Sequence, residues 1–383
     1  LRCMRHADPL NLIWVTPAEG TYSFHNDYVT RTSENRECAF FCCSVKLQEG
    51  ISLKRILTVL FAASLLTACG AENEPSSSSG DDKEAIQKVH FALDWTPNTN
   101  HTGLYVAQEK GYFKDEGLDV EIMLPGEAGA DQLVASGKAD FGIGAQEALT
   151  EARAAGIPIV SIAAIIQHNT SGFASLKEAG IESPKDFEGK NYGGWGAPVE
   201  QAVVKSLMEK DNADSSKVKY INMGSSDFFT AIQRDIDLAW VYYGWTGIEA
   251  EQRGMELNMQ YLKDYSENLD YYTPVITTNE KLIAKDPEKV EAFVAAAVKG
   301  YQFAIDHPEE AADILIKAVP DLDPELVKKS QQWLSPKYQD DAPRFGEQQL
   351  KTWENYAQWM DENNLLEGEF NAKDAFTNEF LPN

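Results

Sequence analysis

Cysteine is nearly absent from most of this 383-residue chain: Cys3, Cys38, Cys42 and Cys43 crowd its first stretch, and none follows Cys69. A disulfide framework or a thiolate metal centre in the long remainder is therefore excluded. The Cys42-Cys43 pair has no second pair at ligand spacing. Basic charge is scarce too, with 34 Lys and Arg against 60 Asp and Glu for a net charge of −26 and no basic block. Nucleic-acid phosphates need clustered cations, so that partner class drops out. Gly142-Ile143-Gly144 lacks the third glycine of a dinucleotide fingerprint, and His168 and His307 have no partners at metal-ligand spacing. No cofactor or metal is expected. What the chain does have is 43% hydrophobic and 10% aromatic residues, enough for the core of one large or two medium domains.

The most continuous apolar run lies at residues 56–66, behind Lys54 and Arg55 and ahead of Leu66-Thr67-Ala68-Cys69. It falls short of the roughly 20 residues that span a bilayer. A basic flank, an apolar run, small residues and a cysteine occur here in the order of a secretory signal. The tetrad resembles a bacterial lipobox, which implies cleavage before Cys69 and a lipid on it. The polar tract that follows, including SSSSG, reads as a flexible tether. A signal belongs at the start of a chain, so residues 1–52 read as an untranslated leader carried into the protein sequence. Gln48-Glu49-Gly50 is compatible with a ribosome-binding sequence, and Leu53 with a UUG start codon.

From Lys88 onward, strand and helix patterns alternate. Strands are expected at 89–93, 120–124, 139–143 and 157–166, with helices at 102–110, 131–136 and 146–155. A second cycle has strands at 172–176, 191–194, 218–223 and 238–243, and helices at 184–187, 199–210 and 228–235. After Thr273 the chain is expected to turn helical. Proline opens helices at 287–306, 308–318 and 324–333, which are expected to pack back on the first lobe. The fold class is α/β: two lobes, each a mixed, mainly parallel sheet flanked by helices, with ligand in the crevice at the strand ends. The expected organisation is leader 1–52, signal peptide 53–68, lipidated tether 69–87, first lobe 88–168 plus 273–383, and second lobe 169–272.

The run HFALDWTPNTNHTGLYVAQEKGYFKDEGLDVEI and the later SGKADFGIG resemble the substrate-binding proteins of ABC importers related to the thiamine-pyrimidine synthases. The resemblance runs from about Val89 to the C-terminus. In its DWTPN-H segment it is nearest to members that capture N-formyl-4-amino-5-aminomethyl-2-methylpyrimidine. It implies a two-lobed type II periplasmic-binding-protein fold and a formyl- or hydroxymethyl-substituted aminopyrimidine ligand for thiamine salvage. It also implies an ABC permease with its ATPase as partners, a monomer on the outer face of the cell membrane, held there by its lipid, and no catalysis. Residues 1–20 permit, within synonymous codons, a nucleotide string that resembles the thiamine-pyrophosphate riboswitch. The related synthases imply an iron-binding cysteine cluster, plus a lysine and a histidine at the mouth of the third strand. Here the corresponding positions read Asp270-Tyr271-Tyr272-Thr273-Pro274, Gly144 and about Ala148.

Three segments hold candidate ligand contacts. Trp95 and His101 flank the first crossover loop, where an indole offers a stacking face, while Asp94 and Asn98 read equally as ring-nitrogen partners and as helix caps. Trp195 and Glu200 lie in GGWGAPVE, where glycines allow close backbone approach. Glu200 is a candidate acceptor for an amino group and a protonated ring nitrogen, or else a partner of the helix dipole. The third segment is Trp240-Val241-Tyr242-Tyr243-Gly244-Trp245. Strand alternation places Trp240 and Tyr242 on one face, with Tyr243 and Trp245 on the other. A carboxylate at Glu200 argues against the rival within the fold, a taurine, alkanesulfonate or nitrate binder.

Overall fold

The computed structural model describes residues 86–382 apart from 125 and 224–225. The leader, signal, lipidation and tether expectations fall on residues 1–85, outside the described residues. Among the described residues, ten strands form two five-stranded sheets: β1 Gln87–Ala92, β2 Leu118–Met123, β3 Phe141–Gly144, β4 Ile159–Ala164, β5 Ser171–Leu176, β6 Asn191–Gly194, β7 Lys219–Asn222, β8 Leu238–Tyr242, β9 Leu257–Tyr261 and β10 Val275–Asn279. The first sheet runs β2-β1-β3-β10-β4 and the second β7-β6-β8-β5-β9. In the first, β1 pairs in parallel with β2 and β3, and β10 runs antiparallel between β3 and β4. In the second, β6 pairs in parallel with β7 and β8, and β5 runs antiparallel to β8 and β9.

Burial explains the strand sequences. The segments FGIG of β3 and IVSIAA of β4 are buried throughout, as strands covered on both faces must be. β2, LDVEIM, alternates Leu118 and Val120 inward with Asp119 and Glu121 outward. Two strands depart from expectation: β9, in a stretch where no strand was expected, and β10, which forms where the chain was expected to turn helical after Thr273 and whose residues VITTN are all buried. Its β-branched run suits a central strand. The helix begins only after Asn279, whose side chain accepts from the Leu282 N–H at 2.9 Å.

Helix Pro287–Asp306 is opened by Pro287 and by an Asp286 side chain that accepts from the Lys289 N–H. It lays Phe293 against the first sheet, with ring centroids 4.0 Å from Phe141, 5.5 Å from Phe91 and 5.3 Å from Phe113. Its Gly300 meets helix Thr102–Glu109 so closely that a Cβ there would stand 2.0 Å from the Gly103 carbonyl oxygen. The second sheet builds its own core around Phe173, Phe187 and Tyr192.

The last long helix, Leu350–Glu362, serves both sheets rather than only the first. Trp353 joins the cluster of Ala92, Val275 and Ala164 in the first sheet, while Tyr356, Trp359 and Met360 join the second sheet's core. Trp359 also donates from Nε1 to Ser206 Oγ at 2.9 Å. Four large apolar residues at helical spacing give this helix more buried surface than one lobe can cover.

Candidate functional site

The carboxyl ends of β1 and β3 open into loops that carry Asp94 and Trp95, then Gly144 and Ala145. With helix Ala130–Ala135 they wall a cavity of about 350 Å³ that Asp94, Asp131 and Gly144 line. Trp95 is 70% exposed, an unusual position for an indole unless something covers it. Asp94 Oδ1 lies 2.8 Å from Nε2 of the buried His101, whose Nδ1 accepts from the Asn98 N–H at 3.3 Å. Because Nδ1 accepts, Nε2 carries the proton and donates to Asp94. Asn98 Oδ1 in turn caps the following turn by accepting from the Asn100 N–H at 2.9 Å. Two expected ligand contacts are thereby corrected. His101 has no exposed surface and orients Asp94, and the Asn98 side-chain oxygen is used as a cap.

On the second lobe, β6 leads into Trp195, which is 53% exposed and 5.4 Å from the ring of Trp240. Trp240 packs back on Phe173 and leaves a buried Nε1–H without a partner. Glu200, 1% exposed, is saturated. Its Oε1 accepts from Tyr192 Oη at 2.6 Å and the Trp195 N–H at 3.1 Å, and its Oε2 from the Gly196 and Ala197 N–H groups at 2.6 and 2.8 Å. A carboxylate offers about four lone-pair sites. The expected role of Glu200 as a direct acceptor for ligand therefore gives way to fixing the Trp195 loop.

The alternation expected through 240–245 breaks at the end of β8, where residues Tyr243–Gly247 form a π-helical turn. Tyr242 remains at the strand end, exposed, and Thr273 hydrogen-bonds its hydroxyl. Burial of that hydroxyl, then the charges of Glu147 and Asp94, push its ionisation well above the ordinary tyrosine range, so it senses both carboxylates of the first lobe. Tyr243 turns away, packing on Trp333 at 5.1 Å and bonding Glu251, while Trp245 packs on the first lobe's core. Tyr243 is thus a packing residue, and of the aromatic candidates Trp95, Trp195 and Tyr242 are exposed.

Two site groups were not singled out in the sequence. Asp131 and Glu147 each stand in the first turn of a helix after a strand, where an acid reads as a partner for the helix dipole. Burial, then the charge of Asp94, raises Asp131 to about 7, and burial raises Glu147 to about 8 with Asp131 and Glu151 adding to it. His168, expected at the surface or cleft edge, lies on the crossing from β4 to β5. Its Nδ1 is 2.7 Å from Asp270 on the return crossing, and its Nε2 is 3.2 Å from Asp341. Among the described residues no group of three His, Cys, Asp or Glu is arranged to hold a metal, and no helix is long and apolar enough to cross a membrane.

The fold is that of a two-lobed binding protein, with an exposed indole at a strand end of each lobe and a carboxylate-lined cavity on the first. The NMT1/THI5-like family matches residues 98–311, and the chain belongs to that family. It is similar to the formylaminopyrimidine-binding protein of Halalkalibacterium halodurans, with 29% identity over 84% of this chain and 98% of that protein. It is also similar to the 4-amino-5-hydroxymethyl-2-methylpyrimidine phosphate synthase of Legionella pneumophila, with 25% identity over 77% of this chain and 92% of the synthase. Among solved structures, the ligand-binding component of an ABC-type import system from Staphylococcus aureus superposes with a TM-score of 0.59 at 14% identity. That alignment covers 77% of this chain and 97% of the other.

Proposed function

We propose that this chain is the extracytoplasmic solute-binding component of an ABC importer, held to the membrane by lipid on Cys69, and that it closes its lobes on a thiamine-related aminopyrimidine. Formyl- and hydroxymethyl-substituted pyrimidines are the favoured ligands, and an ABC permease with its ATPase would receive them from a monomer. The observation that carries this reading is the pair of exposed indoles, Trp95 and Trp195, one at a strand end of each lobe. A flat heteroaromatic solute is the natural partner of such faces, and each stack contributes about 0.5–1.5 kcal/mol beyond buried area. Two stacks and one charge-assisted hydrogen bond give roughly 3–6 kcal/mol, against about 8 for micromolar binding. Closure of the lobes about the two crossings supplies the remaining burial.

Synthase chemistry is disfavoured by its missing groups. The position that would carry the lysine is Gly144, where a Cβ would stand 2.6 Å from Asp131 Oδ1, 2.8 Å from Leu149 and 2.9 Å from Thr277. A side chain cannot be added there without displacing all three. A sulfonate or nitrate ligand is disfavoured by charge, since it would lie beside Asp94 and Asp131 in a wall without Lys or Arg. Calorimetric titration with formylaminopyrimidine, hydroxymethylpyrimidine, thiamine and taurine tests the reading. Binding of taurine alone would sink it.

A further inference from the structure

The first-lobe wall holds more acid than its own contacts use. Asp94 is engaged by His101, but Asp131 Oδ1 and Glu147 Oε2 are buried with no hydrogen-bond partner. An unpaired buried acceptor is costly, and native proteins retain one where something else is to occupy it. Gly144 leaves room for this: with no Cβ, it lets Asp131 Oδ1 reach the edge of the cavity that Asp131 and Gly144 line, while Glu147 stands behind that lining, next to Ala148 and within electrostatic reach of Asp131. Titratable groups that act on the pair come from every side. They are Asp94 from the first crossover loop, Glu151 one turn along the helix from Glu147, Tyr242 from the second lobe, Tyr271 from the return crossing and Tyr356 from the last helix. Lysine and arginine are absent from that set.

We propose that Asp131 and Glu147 are specificity-determining acceptors of the crevice, selecting a solute that brings an amino group or a protonated ring nitrogen to the first-lobe wall and rejecting anions. The inference rests on the binding role above and deepens it by naming the charge class. The exposed aromatics hold any flat ring, whereas the acids distinguish an aminopyrimidine from an equally flat ring without the amino donor. In the empty crevice burial keeps the pair partly protonated near neutral pH, so a cationic or donor-rich ligand displaces protons as it binds.

The test is calorimetric titration of the whole protein at pH 7 with three probes: hydroxymethylpyrimidine, its 4-oxo analogue lacking the amino group, and taurine. A fourth titration uses 4-aminopyridine, an aromatic cation at this pH. Each is run in two buffers of different ionisation enthalpy. The wild type is expected to prefer the amino compound by about tenfold or more, with net proton release, and to ignore taurine. Asp131→Asn with Glu147→Gln should shrink that preference to about threefold or less and abolish proton release, while the 4-oxo analogue binds as before. Thermal unfolding checks that the variant folds, and proton release is read on the wild type without any variant. If 4-aminopyridine binds with proton release and neither pyrimidine does, the acidic pair stands and the pyrimidine reading falls. Taurine binding by the wild type, binding of none of the probes, absence of proton release, or an unchanged preference in the variant overturns the inference.

Discussion

His168 Nδ1 lies 2.7 Å from Asp270 Oδ2, and that bond joins the chain's outward crossing between the two sheets to its return crossing. The neighbouring Asn169 N–H donates to the other oxygen of Asp270 at 2.9 Å, so one carboxylate holds two successive residues of the hinge. The closure proposed above would turn about these two crossings, and the bond cross-links them.

The hinge cross-link should respond to pH. The hydrogen bond that His168 donates to Asp270, followed by the charges of Asp270 and Asp341, outweighs burial and raises His168 to about 9. A raised folded value means the stabilisation is complete below the unfolded value of about 6.5 and is lost as pH rises through about 9. Asp131 and Glu147 differ in cause: burial raises them, so each adds a cost as pH rises from the ordinary carboxylate range to about 7 and 8, and most of that cost is already present at pH 8.5. Melting temperature should therefore fall further between pH 8.5 and 10 in the wild type than in His168→Gln, by roughly 2–4 °C for each kcal/mol lost.

Glu200→Gln is expected to reduce stability as well as affinity. The replacement puts an NH2 where backbone N–H groups now donate to a carboxylate, costing about 1.5–3 kcal/mol. Thermal unfolding of the empty protein reads this directly. An unchanged melting temperature would return Glu200 to the role of free ligand acceptor.

Trp95→Ala separates binding from folding. An indole 70% exposed contributes little to the core, so stability should stay within about 0.5 kcal/mol. Affinity for a pyrimidine should drop roughly tenfold or more through the lost stacking and burial. Equal affinity in the variant would remove Trp95 from the site.

Gly300→Ala probes the helix contact that closes the first lobe. The added methyl would meet the Gly103 carbonyl oxygen at 2.0 Å, which forces helices Thr102–Glu109 and Pro287–Asp306 apart. A loss of about 1–3 kcal/mol in denaturant unfolding is expected, with the pyrimidine affinity of the folded fraction retained.

The sequence by itself determined the broad fold and the class of protein. Period-two and continuous apolar runs marked β1 to β8, proline marked the starts of the later helices, and the DWTPN and GKADFG segments carried the family. β9 and β10 escaped: LNMQY of β9 is a largely half-buried edge strand paired only with β5, and VITTN of β10 is short and lies just before a helix, where only its insertion between β3 and β4 gives it partners. Tertiary structure alone decided the roles of the polar residues. Asn98, His101 and Glu200 are polar groups beside a crevice in sequence terms, yet folding satisfies each of them internally. Asp131 and Glu147 look like ordinary first-turn acids, and folding leaves an oxygen of each buried and unpaired. The physical reason is that pattern records which residues leave water, while a polar group's function depends on which donors meet it there, and those donors come from residues distant in the chain.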